Sequence, residues 1–144
     1  MNSGIEFAQK INLAYNSVCK PFLHKLNLPQ TAFDILMFLA NNPEYTTARD
    51  IVEVRKIKAN LVSVNVDRLV QEGYLERRSV AMDRRKTELI CTEKAKSLME
   101  EGRAMQQAFG EKLFDGMDQE ARKAFMKTLD SIGKNAEEIL KGEY

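Results

Sequence analysis

Several residue types are rare or absent in this sequence, and their scarcity excludes some kinds of protein. The 144 residues contain no tryptophan, one histidine, two cysteines and three prolines. Cys19 and Cys91 are far apart and form no CxxC motif, which argues against a disulfide framework and favours a cytoplasmic protein. His24 is the only histidine, and with two distant cysteines it makes no convincing zinc site, which needs three or four nitrogen and sulfur ligands; a site rich in Asp and Glu stays open as an alternative. We therefore predict no metal and no cofactor.

Long apolar runs and catalytic motifs are missing as well. No segment approaches the roughly 18 apolar residues of a membrane helix, and the first residues show no signal-peptide pattern, so no membrane partner is predicted. There is no glycine-rich phosphate loop and no GxSxG motif, and the one histidine has no nucleophile at a recognisable spacing. We predict no catalytic residues and no enzymatic activity.

Charge is nearly balanced over the whole chain but uneven along it. The net charge is +1, yet residues 55–86 hold nine Lys or Arg and only four Asp or Glu. Five of these basic residues fall in the stretch RRSVAMDRRKTEL, residues 77–89. A local excess of positive charge is what a surface that binds a polyanion would show.

The spacing of apolar residues predicts a mostly helical chain. Apolar positions three and four apart indicate amphipathic helices over 5–26, 93–114 and 118–140, with a bend or interruption at Pro21. Another helix is predicted to hold Pro29 in its first turn. The long apolar stripes of the outer helices need partners, and a second copy of the chain would supply them, so we predict a homodimer.

The centre of the chain predicts a helix-turn-helix followed by a β-hairpin. Thr47 opens a short helix with a capping-box pattern, the basic turn RKIK follows, and a second helix runs to Glu72 before Gly73 ends it. The runs YLERRSV and RKTELIC are typical of two short strands. Such a unit can place its second helix in a DNA major groove, and arginine at the hairpin turn can reach a neighbouring minor groove.

The outward face of that second helix carries side chains able to recognise bases. Asparagine can pair with adenine, serine can reach several base edges, and leucine or valine can contact a thymine methyl group. A solvated helix face whose apolar residues simply pack is the competing interpretation. The predicted recognition-helix residues are Lys58, Asn60, Leu61, Ser63 and Val64.

The segment LVSVNVDRLVQEGYLERRSVAMDRRKTELICTEKA resembles the recognition helix, wing and following helix of the MarR family of winged-helix transcription regulators. The motifs that carry this resemblance are Val66-Asp67-Arg68-Leu69, Gly73, Asp83-Arg84-Arg85 and Thr92. Helix order and length extend it to the whole chain. The resemblance implies that Arg85 enters the minor groove and that Asp83 orients its guanidinium. Cys91 and Leu61 depart from the family pattern.

The expected fold is mostly α with a small β-hairpin wing, a winged helix-turn-helix embedded in a helical dimerisation region. Residues 29–92 form the predicted DNA-binding domain, and 1–28 with 93–144 form the predicted dimerisation region. The expected function is sequence-specific regulation of transcription, as a repressor, by a homodimer on a pseudo-palindromic site in double-stranded DNA. The predicted wing contacts are Arg77, Arg78, Asp83, Arg84, Arg85 and Lys86.

The resemblance also implies a small-molecule effector, expected to be aromatic or phenolic, in a cleft near the first, second and fifth helices. Its predicted lining is Tyr15, His24, Phe33 and Met37, for which core packing is the competing interpretation. Two other functions stay open. One is a winged-helix protein-interaction module that never binds DNA. The other is a thiol-based redox sensor that uses Cys19, whose pKa the neighbouring Lys20 would lower.

Overall fold

The computed structural model describes residues 3–142, and its elements follow the predicted order. The first half contains helices α1 (Ser3–Leu26), α2 (Gln30–Asn41) and α3 (Ala48–Asp50), a π-helical segment (Ile51–Arg55), and α4 (Ala59–Gln71). Two antiparallel strands, β1 (Leu75–Val80) and β2 (Asp83–Cys91), precede α5 (Glu93–Leu113) and α6 (Gln119–Leu140). This confirms the predicted fold class. None of the helices within residues 3–142 combines the length and apolar composition of a membrane-crossing segment.

The chain divides into two compact units, one up to Phe109 and one from Gly110. The second unit contains α6 and the turn before it, where the Phe114 and Phe125 rings meet edge to face with centroids 5.5 Å apart. The predicted functional division into 29–92 and the flanking regions stays a prediction, and its outermost residues, 1–2 and 143–144, lie outside the described part of the chain.

Helix α2 is the centre of the core in the first unit. Seven of its twelve residues are buried, and Phe33, Ile35 and Leu36 have no exposed surface. The inner face of α4 and the start of α5 pack into the same cluster of buried side chains. A helix buried on nearly all sides is a rigid base, so it fixes the position of the helix-turn-helix built around it.

Side-chain caps mark the starts of three helices, α3, α5 and α6. The predicted capping box is confirmed: the Asp50 amide donates to Thr47 Oγ1 (3.1 Å), and the Thr47 amide donates to Asp50 Oδ2 (3.0 Å). Asp118 accepts from the Ala121 amide (2.8 Å) at the start of α6. Pro29 is the N-cap of α2 and lies just before its first turn.

Pro21 does not interrupt α1, contrary to one of the predicted outcomes. The helix is continuous from Ser3 to Leu26 with Pro21 inside it. Cys19 and Leu23, on either side of the proline, are both buried in the core. Packing on both sides holds the helix together across the lost backbone hydrogen bond.

Helices α2 and α5 approach closely at Gly102, which is buried. A Cβ atom at this position would lie 2.6 Å from Met37 Sδ and 3.1 Å from the Phe33 ring. Both neighbours are buried in the core and have little room to move. The absence of a side chain at 102 therefore allows this helix crossing.

Gly102→Ala is expected to lower the free energy of unfolding by about 1–3 kcal/mol because it overpacks this contact. Urea denaturation at a fixed protein concentration measures the change. Gly110→Ala in the same helix is the matched control, since its Cβ would meet nothing within 4 Å. That variant is expected to be stabilised, by up to about 1 kcal/mol, through helix propensity. Equal stabilisation of both variants would contradict the close crossing.

Candidate nucleic-acid interface

Helix α4 has one buried face and one exposed face. Val62, Val66 and Leu69 are at most 3% exposed and anchor the helix in the core. On the other side Leu61 is 43% exposed and Val64 is 67% exposed. Three further predicted residues are exposed, namely Lys58, Asn60 and Ser63. All five predicted recognition-helix residues therefore lie at the surface, on α4 or immediately before it.

The turn into α4 adds positive charge at the start of this helix. Lys56 adopts the left-handed conformation (φ 65°), which ends the π-helical segment Ile51–Arg55. Lys58 is extended and gives the first turn of α4 no side-chain cap. The amide groups of an uncapped first turn attract anions, and the Lys58 cation lies beside them. Phosphate groups are the anions that a DNA backbone would present here.

The wing is a hairpin with a basic, irregular second strand. Ala81 and Met82 form the predicted tip, where Met82 is 95% exposed. Strand pairing passes directly from Ser79↔Thr87 to Val80↔Asp83. Residues 84–86 therefore have no partner on β1. Bulges of this kind redirect side chains and increase local twist, so the basic cluster protrudes from an irregular edge rather than a regular ladder.

The Asp83 side chain stabilises the wing by a hydrogen bond to the backbone of the second strand. Its Oδ1 accepts a hydrogen bond from the Arg85 amide at 3.0 Å. The predicted contact was with the Arg85 guanidinium, so the prediction is corrected: the carboxylate fixes the strand at Arg85 and the guanidinium extends from it. An Asp two residues before a backbone N–H commonly makes this turn contact. Arg84, Arg85 and Lys86 are all exposed.

Arg77 is engaged differently from the other wing residues. Its Nη2 pairs with Asp67 Oδ1, on the exposed face of α4. The prediction treated Arg77 as a phosphate contact, but the ion pair ties β1 to the recognition helix and neutralises the one acid on that face of α4. Arg78 lies opposite Glu88 in the strand pairing. The other basic cluster of the wing, residues 84–86, is exposed.

Two further residues of the motifs shared with the MarR family, Arg68 and Thr92, make structural contacts around the site. Arg68 donates to the Asn27 carbonyl (2.6 Å) at the turn between α1 and α2, and it pairs with Glu72 (3.3 Å). Thr92 donates to the Gly73 carbonyl (2.6 Å) and caps α5 by accepting from the Ala95 amide (3.3 Å). These contacts lie at the C-terminal end of α4, so they hold that end of the recognition helix against the α1–α2 turn and the start of α5.

A cavity of about 230 Å³ lies between α1, α2 and α5 and is lined by two of the four predicted effector residues, Tyr15 and Met37. Phe33 is fully buried, and its ring packs edge to face on Phe22 at 5.7 Å. His24 is exposed and lines a different groove, formed largely by α1. The predicted group of four is corrected accordingly: Phe33 belongs to the core and His24 lies elsewhere.

The cavity is polar on one side. Tyr15 accepts a hydrogen bond from Gln106 Nε2 (2.8 Å), and burial raises the pKa of Tyr15 to about 12, so its phenol is neutral at physiological pH. Asp34 lies 3.7 Å from Arg55 Nη2. Burial raises the pKa of Asp34, while the hydrogen bond from Gln30 and the charge of Arg55 oppose that rise.

Cys19 is buried in the core with no exposed surface. Burial raises the pKa of its thiol, and hydrogen bonds to Gln30 and Tyr15 oppose this only in part. The expectation that Lys20 lowers this pKa is therefore wrong. A raised pKa reduces the thiolate fraction at a given pH, and the thiolate is the reactive form. Within residues 3–142, no group of three His, Cys, Asp or Glu side chains is arranged to hold a metal ion.

Sequence reasoning missed Asp34, Arg55 and Gln106 as cavity residues. They belong to α2, the π-helical segment and α5, and nothing in their spacing indicates that these elements meet around one cavity. A signal for Asp34 was available, since a carboxylate within the run AFDILMFLA is an acid in an otherwise buried helix.

Known proteins resemble this chain in sequence and in fold. The model of the MarR family matches residues 26–86. The HTH-type transcriptional regulator BilQ of Clostridium symbiosum is 22% identical over 119 residues, which cover 83% of this chain and 82% of BilQ. A MarR protein from Peptoclostridium difficile has a TM-score of 0.86 at 20% identity, covering 100% of this chain and 93% of that one. A MarR family regulator from Listeria monocytogenes, solved in complex with 26mer DNA, has a TM-score of 0.85 at 17% identity, covering 97% and 95%.

Proposed function

We propose, from the premise that this chain belongs to the MarR family of transcriptional regulators, that it is a homodimeric repressor that binds a pseudo-palindromic operator. In this proposal α4 of each protomer enters one of two successive major grooves, about 34–36 Å apart. A protein that covers two grooves excludes other proteins from the same DNA, which is the physical basis of repression. The protein acts in the cytoplasm, where the DNA is.

The observation that carries the proposal is an exposed recognition face next to an exposed basic cluster in the wing. Asn60, Ser63, Leu61 and Val64 are exposed although α4 is firmly anchored by its other face. Arg84, Arg85 and Lys86 protrude from the bulged strand. The first set offers contacts to base edges, and the second offers charge to phosphates and to a narrow minor groove. The two sets together supply both specificity and affinity.

Exposed apolar helix faces support the homodimer. Helix α6 has no buried residue over its 22 positions. Its apolar side chains recur at helical spacing and form what we call the α6 stripe: Phe125, Leu129, Ile132 and Leu140, which are 38–67% exposed. Helix α1 likewise exposes Ile5, Phe7 and Leu13 at 51–74%. Apolar faces of this length are stable in water when a partner covers them, and a second copy offers the same faces by symmetry.

The cavity lined by Tyr15 and Met37 is the proposed effector site. It offers an apolar wall from Met37 and Phe38 and polar groups from Tyr15, Gln106 and Arg55. A planar aromatic or phenolic molecule would use both kinds of surface. Arg55 is the last residue of the π-helical segment that leads into α4. A ligand that draws Arg55 away from Asp34 would therefore shift the start of the recognition helix and change DNA affinity.

A fluorescence anisotropy titration with a random-sequence duplex tests DNA binding itself. We expect log affinity to fall with log salt concentration with a slope of about −5, as for about six phosphate contacts per dimer. The double variant Arg84→Ala, Lys86→Ala should make this slope shallower by about 3 to 4, since each protomer loses two contacts. The double variant Lys123→Ala, Lys127→Ala, which removes the same charge from α6, should leave it unchanged. A duplex affinity with no salt slope would favour the protein-interaction module instead.

A further inference from the structure

The exposed face of α4 carries a narrow set of side chains. Residues 59–66, ANLVSVNV, contain no charged side chain and no glutamine. Asn65 is buried and donates to the Leu61 carbonyl at 2.8 Å, so it faces the helix backbone. Arg68 is held by Asn27 and Glu72. The exposed side chains of this segment are one amide, one hydroxyl, the methyl group of Ala59 and two larger aliphatic groups, Leu61 and Val64.

This set of side chains restricts which bases α4 can recognise. Arginine and lysine are the side chains that pair with guanine O6 and N7, and acids accept from cytosine N4. The exposed positions of residues 59–66 provide neither. Asparagine makes its bidentate pair with adenine N6 and N7, and aliphatic side chains contact the C5 methyl group of thymine. The available chemistry therefore matches A·T pairs.

Leu61 and Val64 are placed to act together. They are three positions apart in one helix, so their side chains are neighbours on its surface. They are 43% and 67% exposed, whereas Val62 between them is 1% exposed. The core does not need these two side chains, and contact with another apolar group would remove part of this surface from water.

We infer that Leu61 and Val64 form an aliphatic pair that recognises thymine methyl groups in the major groove, with Asn60 reading an adjacent adenine. The inference rests on the proposed function, because it specifies what the recognition helix selects. The half-site under α4 is then defined by the position of its thymine methyls and not by guanine contacts.

Removal of those methyl groups alone tests the inference. Operator duplexes selected from a random pool are resynthesised with deoxyuridine in place of thymidine, which deletes only the C5 methyl and keeps base pairing. We expect the uracil duplex to bind about fourfold more weakly for each contacted methyl, from the burial of one methyl-sized group. With one contact in each half-site, the combined loss is about 15-fold.

The protein side of the experiment uses Leu61→Ala with Val64→Ala. This double variant should bind thymine and uracil duplexes with equal affinity, because the aliphatic pair is gone. Val54→Ala is the matched control, since Val54 is also 43% exposed but lies outside α4, and it should keep the preference for thymine. Melting curves check that all variants fold.

The outcomes separate the inference from the proposed function. A selected operator that binds equally well as thymine and uracil duplex overturns the aliphatic readout while DNA binding stands. A thymine preference that survives in the double variant overturns the assignment to Leu61 and Val64. A pool from which no sequence is enriched contradicts the proposed function itself.

Discussion

Replacement of Leu129 by glutamate is expected to convert the protein into monomers and to lower its affinity for a two-half-site operator by about 10²–10⁴-fold. Leu129 lies in the α6 stripe and is 45% exposed in the single chain. A carboxylate buried without a partner in an apolar interface costs several kcal/mol, enough to dissociate a typical dimer. Loss of the dimer then removes the gain in affinity from two linked half-sites. Sedimentation velocity and anisotropy on the same duplex measure both effects.

Ser131→Glu is the matched control for this experiment. It introduces the same charge into α6 on a face away from the stripe, where Ser131 is exposed and donates to the Lys127 carbonyl (3.4 Å). We expect this variant to remain dimeric and to bind the operator normally. The Leu129→Glu monomer should still bind a duplex with one half-site, because α4 and the wing belong to the other compact unit. A Leu129→Glu protein that stays dimeric with full affinity would show that α6 is not part of the interface.

Arg85→Ala is expected to weaken operator binding by about 1–3 kcal/mol, or about 5- to 150-fold, without loss of fold or dimer. Arg85 is exposed, and its described hydrogen bond is made by the backbone amide to Asp83, so the strand keeps its brace in the variant. The loss should be larger for the operator than for random DNA, because arginine in a minor groove responds to groove width.

Arg84→Ala provides the comparison within the same basic cluster. As a phosphate contact, Arg84 should contribute equally to operator and random DNA, so its removal should lower both affinities by the same factor. If Arg85→Ala also lowers both equally, Arg85 is another phosphate contact. If it lowers neither, Arg85 does not contact DNA.

The sequence predicted those features of the fold that local chemistry decides. Thr47 and Asp118 cap helices through hydrogen bonds within three residues. Gly73 ends α4 because its left-handed conformation (φ 83°) suits a residue without a side chain. The burial of Val62 and the exposure of Val64 follow from helical periodicity. Each of these signals spans less than two helical turns.

Contacts between distant elements could not be predicted in the same way. The Arg77–Asp67 ion pair depends on how β1 packs against α4. Phe33 is a core residue and Tyr15 a cavity residue because α2 lies deep in the core, and the sequence does not specify that depth. The bulge at residues 84–86 depends on the register between β1 and β2. Register is specified by apolar residues that alternate with polar ones, and this basic segment has no such pattern. Asp34 and Arg55 meet because the π-helical segment brings Arg55 to α2.

Selection of bound sequences from a random duplex pool is the most direct test of the central claim, that α4 and the wing of a dimer recognise a specific operator. We predict enrichment of an inverted repeat whose half-site centres lie about 10–10.5 base pairs apart, or a multiple of that distance. We also predict adenine and thymine at the positions under α4, where Asn60, Leu61 and Val64 are exposed. A bound fraction with the same sequence distribution as the starting pool would contradict recognition of a specific operator.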